Sequence, residues 1–266
     1  MQQSSYQCPK SRVRRRNPRS IILIAVIVSG LVAACLLAGE LYARHRAETA
    51  VAAATECMVQ DKASVSFGAT PLLFQLATGH YRNISIHTAG NRIGNARGMK
   101  ADVWIDDVRL DRDSDAMGTV GSLDAMVTWS ADGMRQSIQE AITPLRGLVT
   151  AVKTNADDGT IKLQGNLGDV TTKPQVTDGR VALHVVDVTG LGLLLPSEMV
   201  QSALDTFTTR LTENYPLSIR ADDVQITNDV VTAHYSSHST SIPQDDQSGP
   251  GSQRSKGNPN SCFKHL

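Results

Sequence analysis

The chain is poor in aromatic residues. Phe, Trp and Tyr make up 4% of its 266 residues, while hydrophobic residues together make up 41%. A core of this composition is built mainly from Val, Ile, Leu, Met and Ala. Acid is missing from the first twenty residues, which carry Lys10, Arg12, Arg14, Arg15, Arg16 and Arg19. With those six of the 26 basic residues set apart, the rest of the chain holds 20 against 26 acids, a net of −6. A domain with that balance does not attract nucleic acid electrostatically, so no nucleic-acid partner is expected.

Motifs that carry chemistry are missing too. The sequence has no HExxH, no GxSxG elbow and no phosphate-cradling glycine loop. Among its histidines, His234 and His238 stand four apart, but on an expected strand, where they need not converge on a metal. Asp111-Arg112-Asp113-Ser114-Asp115 begins like a calcium loop. It fails as an EF-hand, because Ala116 stands where glycine is required and Ser122 where glutamate is required. The stretch reads as a solvated loop between strands. No catalytic residue, metal site or cofactor is expected, and an enzyme would need a convergent polar site that the sequence does not offer.

One long apolar run is present. Ile21 to Gly39 reads IILIAVIVSGLVAACLLAG without a charge. As a helix it spans about 28 Å, close to the thickness of a bilayer's hydrocarbon core. The arginines precede it, so the positive-inside rule keeps residues 1–20 in the cytoplasm and exports the chain beyond the run. A cleaved signal sequence is one alternative. A lipobox at Val32-Ala33-Ala34-Cys35 is another, although Leu36 and Leu37 continue the apolar run where a mature lipoprotein turns polar. The uncleaved anchor is preferred. The expected organisation is a basic tail (1–20), a transmembrane anchor (21–41), an extracytoplasmic domain (42–240) and a flexible tail (241–266), with single-pass placement in the inner membrane.

The four cysteines fit that layout. Cys8 falls on the cytoplasmic side, Cys35 in the membrane, and Cys57 and Cys262 outside, where disulfides persist. Residues 243–261 form a Gly/Pro/Ser-rich tether with no reason to fold, yet it ends in Cys262-Phe263. A Cys57–Cys262 bridge would explain that ending, and closing so long a loop contributes roughly 5 kcal/mol in the chain-entropy model. Two unpaired thiols, or a bridge between two molecules, are the alternatives.

Within the exported part the pattern is mixed. Helices are expected over 43–59, from Pro71 to Gly79, over 132–142 and from Pro196 to about Leu211. Strands are expected at 63–67, 80–89, 102–110, 123–130, 148–153, 160–165, 170–176, 180–188, 217–226 and 230–236. The last two helices each precede a strand pair, a faint internal echo. Val181–Val188 is apolar on both faces, which implies a sandwiched strand or the lining of an apolar cavity.

A resemblance rests on particular residues. Val65-Ser66-Phe67-Gly68-Ala69-Thr70-Pro71-Leu72-Leu73-Phe74-Gln75-Leu76-Ala77-Thr78-Gly79-His80-Tyr81 reads as a strand, a Gly-x-x-Pro-Leu-Leu turn and a short helix ending in Gly-x-Tyr. Gly121–Ala125, Thr128–Gly133, Leu195-Pro196, Tyr215-Pro216-Leu217 and Cys262-Phe263 extend it. In these features the chain resembles the LmeA-like family of actinobacterial cell-envelope proteins, which are regarded as phospholipid-binding. The match spans roughly residues 45–240 and the last few residues. The tether before Cys262 is longer than the family pattern suggests.

The resemblance implies an α+β fold in which curved antiparallel sheets wrap long helices, as in tubular lipid-binding folds. It implies a phospholipid partner, of phosphatidylinositol type, and support of lipomannan and lipoglycan biosynthesis and envelope integrity. A non-catalytic scaffold for a membrane mannosyltransferase is the alternative, which would make an envelope glycosyltransferase the partner. Expected lipid or membrane contacts are Leu72, Leu73, Phe74 and Leu76, the loop residues Leu191, Leu193, Leu194 and Leu195, and Met199 and Phe207 of the helix from Pro196.

Overall fold

The structure is a computed structural model that describes residues 18–110, 116–141, 149–166, 168–190, 197–212 and 219–243. It divides into two units, 1–42 and 43–266. Helix α1 (Pro18–Val59) begins in the first and ends in the second. In the first unit none of its apolar span is buried, and side chains such as Ile22, Leu31 and Leu41 are exposed. An exposed apolar surface of that length is a candidate membrane span.

The second unit is α+β. Its larger sheet contains β1 (Ala63–Phe67), β2 (His80–Tyr81), β3 (Ile84–Thr88), β6 (Met99–Leu110), β7 (Ala116–Ser130), β12 (Arg220–Thr227) and β13 (Val230–Pro243). Their order is β1-β3-β6-β7-β13-β12, with β2 beside one end of β6, and the pairings are antiparallel. The minimal hairpin β4 (Arg92–Ile93) and β5 (Ala96–Arg97) stands off it. A second antiparallel sheet holds β8 (Val149–Asn155), β9 (Thr160–Gly165), β10 (Gly168–Thr177) and β11 (Arg180–Thr189), in the order β11-β10-β9-β8. The two sheets are separate and do not close into a tube.

Period-two alternation explains which face of the larger sheet is buried. Val65 and Phe67 turn inward with Ile84 and Ile86, and meet Ala47, Val51 and Ala52 of α1. Farther along the same face of that sheet, Ala131 and Met134 of α3 (Ala131–Ala141) pack with Val152 and Ile161 of the second sheet, and with Trp129 and Val231 of the first. Ser130 starts α3 by accepting the Gly133 N–H at 3.1 Å, an N-cap bond.

Several elements differ from the sequence expectation. β6 and β7 are longer than their apolar stretches, and β13 runs past Ser236 to Pro243. The extension of β13 is largely polar, but ladder bonds use backbone groups, and β7 provides the partner that both β6 and β13 need. The hairpins after α3 and after α4 (Ser197–Thr212) both form, but in different sheets, so the echo does not produce two equivalent halves. β11 is not sandwiched: Val186 is 58% exposed, and the strand is a sheet edge. That edge is closed by a side chain of α4. Gln201 accepts the Val185 N–H at 2.8 Å and donates to the Leu183 carbonyl at 2.9 Å, as a neighbouring strand would.

Candidate lipid-contact site

The segment 67–82 builds a small projecting module. Gly68 passes so close to Asn83 that a Cβ there would lie 2.6 Å from the Asn83 Cβ, and its N–H donates to the Asn83 carbonyl at 2.8 Å. Pro71 precedes α2 (Leu72–Thr78), and Gly79, with φ of 66°, closes it in the left-handed conformation that glycine adopts without strain. Inside the module Gln75 is 1% exposed. Its amide donates to the Thr70 carbonyl at 2.9 Å, and its side-chain oxygen accepts the Arg82 N–H at 2.9 Å. Arg44 of α1 clamps the entry by donating to the carbonyls of Phe67, Gly68 and Thr70 at 2.7, 2.9 and 3.2 Å.

This frame sorts the apolar residues of α2. Leu72 is 0% exposed and packs with Val65 and Phe67, so it is core beneath the helix rather than part of its surface. Leu73, Phe74 and Leu76 are 38%, 64% and 47% exposed. Three apolar side chains within one short helix thus face solvent together, held by a rigid polar clasp underneath.

A charged cluster stands at the C-terminal end of α2. His80 hydrogen-bonds Asp107, and Arg109 donates to the same carboxylate at 2.9 and 3.2 Å. The Arg109 guanidinium, with a lesser contribution from His80, holds the Asp107 carboxyl below its ordinary range against the opposing effect of burial. Asp107 has φ of 56°, and a Cβ on Gly121 would lie 2.7 Å from its own Cβ, which accounts for a glycine at that point of β7.

The second expected region is only partly described. Met199, at the start of α4, is 58% exposed, as is Val186 on β11. Leu191, Leu193, Leu194 and Leu195 lie outside the described residues, as does the side chain of Phe207. Cys57 is exposed on the last turn of α1; Cys262 and residues 111–115 lie outside the described residues, and Cys35 is a free thiol. No group of His, Cys, Asp or Glu side chains among the described residues has the arrangement to hold a metal ion.

Sequence reasoning missed Arg44 and Gln75. A single Gln within the run Leu-Leu-Phe-Gln-Leu-Ala was the available signal for Gln75. Arg44 offered none, because its partners are more than twenty residues away.

No solved structure matches the chain. It is 44% identical over 257 residues to uncharacterized proteins of Mycobacterium bovis and of two Mycobacterium tuberculosis strains, covering 96% of this chain and 70% of each of theirs. The model of the LmeA-like phospholipid-binding family matches residues 36–236. That span contains the α2 module, the second sheet, the larger sheet except the end of β13, and the turn that opens α3, so the chain belongs to the LmeA-like phospholipid-binding family.

Proposed function

We propose that the chain is a single-pass anchored protein of the inner membrane whose extracytoplasmic domain binds phospholipid and supports lipoglycan biosynthesis and envelope integrity. The observation that carries this reading is the exposed trio Leu73, Phe74 and Leu76 on its buried clasp. Apolar burial is worth about 25 cal/mol per Å², so acyl chains or a bilayer surface would cover this trio favourably without catalytic groups. Arg44 holds the α2 segment in place through its bonds to the Phe67, Gly68 and Thr70 carbonyls. Val186 and Met199 are further exposed apolar side chains available to lipid.

The orientation rests on the arginines before the anchor. A Cys57–Cys262 disulfide belongs to the same reading: it would tie the tail to the exposed end of α1 in a compartment where disulfides persist.

Native mass spectrometry of the full chain released from micelles tests the proposal. The comparison is wild type against the variant L73S/F74S/L76S, with extracted lipids identified by head group. A defined phospholipid near one per chain in wild type, lost from the variant, supports the reading. Equal lipid in both, or none in either, removes α2 as the lipid site and leaves the scaffold for a membrane mannosyltransferase as the reading to pursue.

A further inference from the structure

The outer face of the larger sheet is polar, with one large aromatic at its centre. Ser66, Ser85, Trp104 and Asp124 are successive ladder partners across β1, β3, β6 and β7, so their side chains lie in one row on the same face. Asp106 and Ser122 form the next row on that face. Together these residues line a groove of about 260 Å³. Trp104 is 43% exposed, unusual for an indole on an otherwise hydrophilic surface.

The indole is held in place. His87 meets it edge-on, with ring centroids 5.9 Å apart and planes at 78°. His87 in turn bonds Asp102 at 2.7 Å, and Lys100 pairs with the other oxygen of that carboxylate at 2.9 Å. Burial works to raise the Asp102 carboxyl, but the bonds from Lys100 and His87 outweigh it and hold it below its ordinary range. The ring is therefore backed by a charged chain and presented from one side.

Around the ring the polar side chains are the hydroxyls of Ser66, Ser85 and Ser122, the carboxylates of Asp106 and Asp124, and the carboxamide of Asn83. Ser66 and Ser85 share a hydrogen bond of 2.7 Å, and Asp106 spends one oxygen on the Asn83 N–H at 3.0 Å. Asp124 is exposed and has no hydrogen-bond or ion-pair partner among the described residues. Among the described residues, no lysine or arginine lines the groove. Such a surface repels phosphate and carboxylate. It offers acceptors for several hydroxyls at once, spaced at about 4.8 Å across strands and about 6.6 Å along them, the scale of a six-membered sugar ring. The volume lies below the ~300–1,000 Å³ of drug-sized sites, enough for one ring rather than a long ligand.

We infer that the Trp104 groove is a binding site for a neutral pyranose. The apolar C–H face of the sugar stacks on the indole. Its hydroxyls donate to Asp124 and Asp106 and exchange hydrogen bonds with Ser85 and Ser122. A single aromatic wall flanked by serines suits a polyol better than a quaternary ammonium ion, which prefers several aromatic walls and uses no hydroxyl donor. The site is separate from α2 and does not depend on the lipid reading.

The test uses the full chain in a polyoxyethylene detergent, whose head group carries neither sugar nor charge. Saturation-transfer NMR titrates methyl α-mannopyranoside, methyl α-glucopyranoside and methyl α-galactopyranoside, with choline and inorganic phosphate as counter-probes. We expect at least one glycoside to bind with a Kd on the order of 1–10 mM, weakened about tenfold or more by W104A and several-fold by D124N. Both positions are on the surface, and circular dichroism verifies the fold of each variant. Absence of glycoside binding up to ~50 mM, glycoside binding that survives both substitutions, or binding of choline or phosphate in place of sugar would each overturn the assignment. Lipid occupancy is read on the same samples, so loss of one activity is distinguishable from loss of the other.

Discussion

Gly133 of α3 rests directly against the Arg97 carbonyl. A Cβ at Gly133 would overlap that oxygen and lie 2.7 Å from the Gly98 Cα. The contact is reinforced from both sides: Trp129 donates its indole N–H to the Arg97 carbonyl at 2.8 Å, and Ser130 donates to the Gly98 carbonyl at 3.2 Å. The sequence Trp129-Ser130-Ala131-Asp132-Gly133 is therefore one device that starts a helix and presses it onto the β5–β6 turn.

Gly133→Ala is expected to destabilise the domain by about 2–3 kcal/mol or more, because backbone faces backbone and neither can yield cheaply. Urea unfolding of the full chain measures it. An unchanged midpoint would mean that α3 shifts freely on the turn.

The α2 residues separate by burial. Leu72→Ala is expected to cost about 2–5 kcal/mol, as a buried leucine truncation does. L73S/F74S/L76S is expected to keep the unfolding midpoint nearly unchanged while lowering the phospholipid that stays bound to the full chain in micelles, read by native mass spectrometry. Unfolding of the triple variant instead would place those side chains in the core.

Gln201→Ala leaves the Val185 N–H and the Leu183 carbonyl of β11 without their side-chain partner. A loss of roughly 1–3 kcal/mol is expected, with faster hydrogen exchange confined to β11 and α4. Gln201→Glu retains the acceptor for Val185 but loses the donor to Leu183, and is expected to fall between.

Asp61 sets a pH dependence. Burial works to raise its carboxyl, but bonds from the Asn91 side chain and from the backbone N–H groups of Asn91, Lys62 and Arg92 bring it from 3.8 to about 2. A folded value below the unfolded one contributes stability that is present above about pH 4 and lost as pH falls toward 2. Asp61→Asn is expected to lower the melting temperature at pH 7 and to flatten the decline between pH 4 and 2. Parallel melting curves for wild type and variant over that range would contradict it.

Cys57→Ser and Cys262→Ser are each expected to lower the melting temperature of oxidised protein by a similar amount, with no further loss in the double variant. Non-reducing peptide mapping identifies the linked pair directly. Full alkylation of both thiols without a reductant would show that no bridge exists.

The apolar run from Ile21 and the bounds of α2 between Pro71 and Gly79 were legible in the sequence, because each depends on local composition or on a residue's own backbone preference. The turns at residues 156–159 and 228–229 were legible for the same reason. Contacts made across long stretches of chain were not. Nothing near Arg44 announces its bonds to Phe67, Gly68 and Thr70, and periodicity alone treats Leu72 and Leu76 alike although one is core and the other surface. The two tryptophans look equivalent as letters, yet register turns Trp129 inward to the Arg97 carbonyl and Trp104 outward onto a polar groove. Sequence by itself determined the long apolar helix, the short-range elements and the family, because helix length, turn geometry and motif spacing are local properties. Which side chains face solvent, which sheet each hairpin joins and where a polar surface gathers around one indole were decided only by tertiary structure, since strand pairing over a hundred residues sets the face on which every side chain falls.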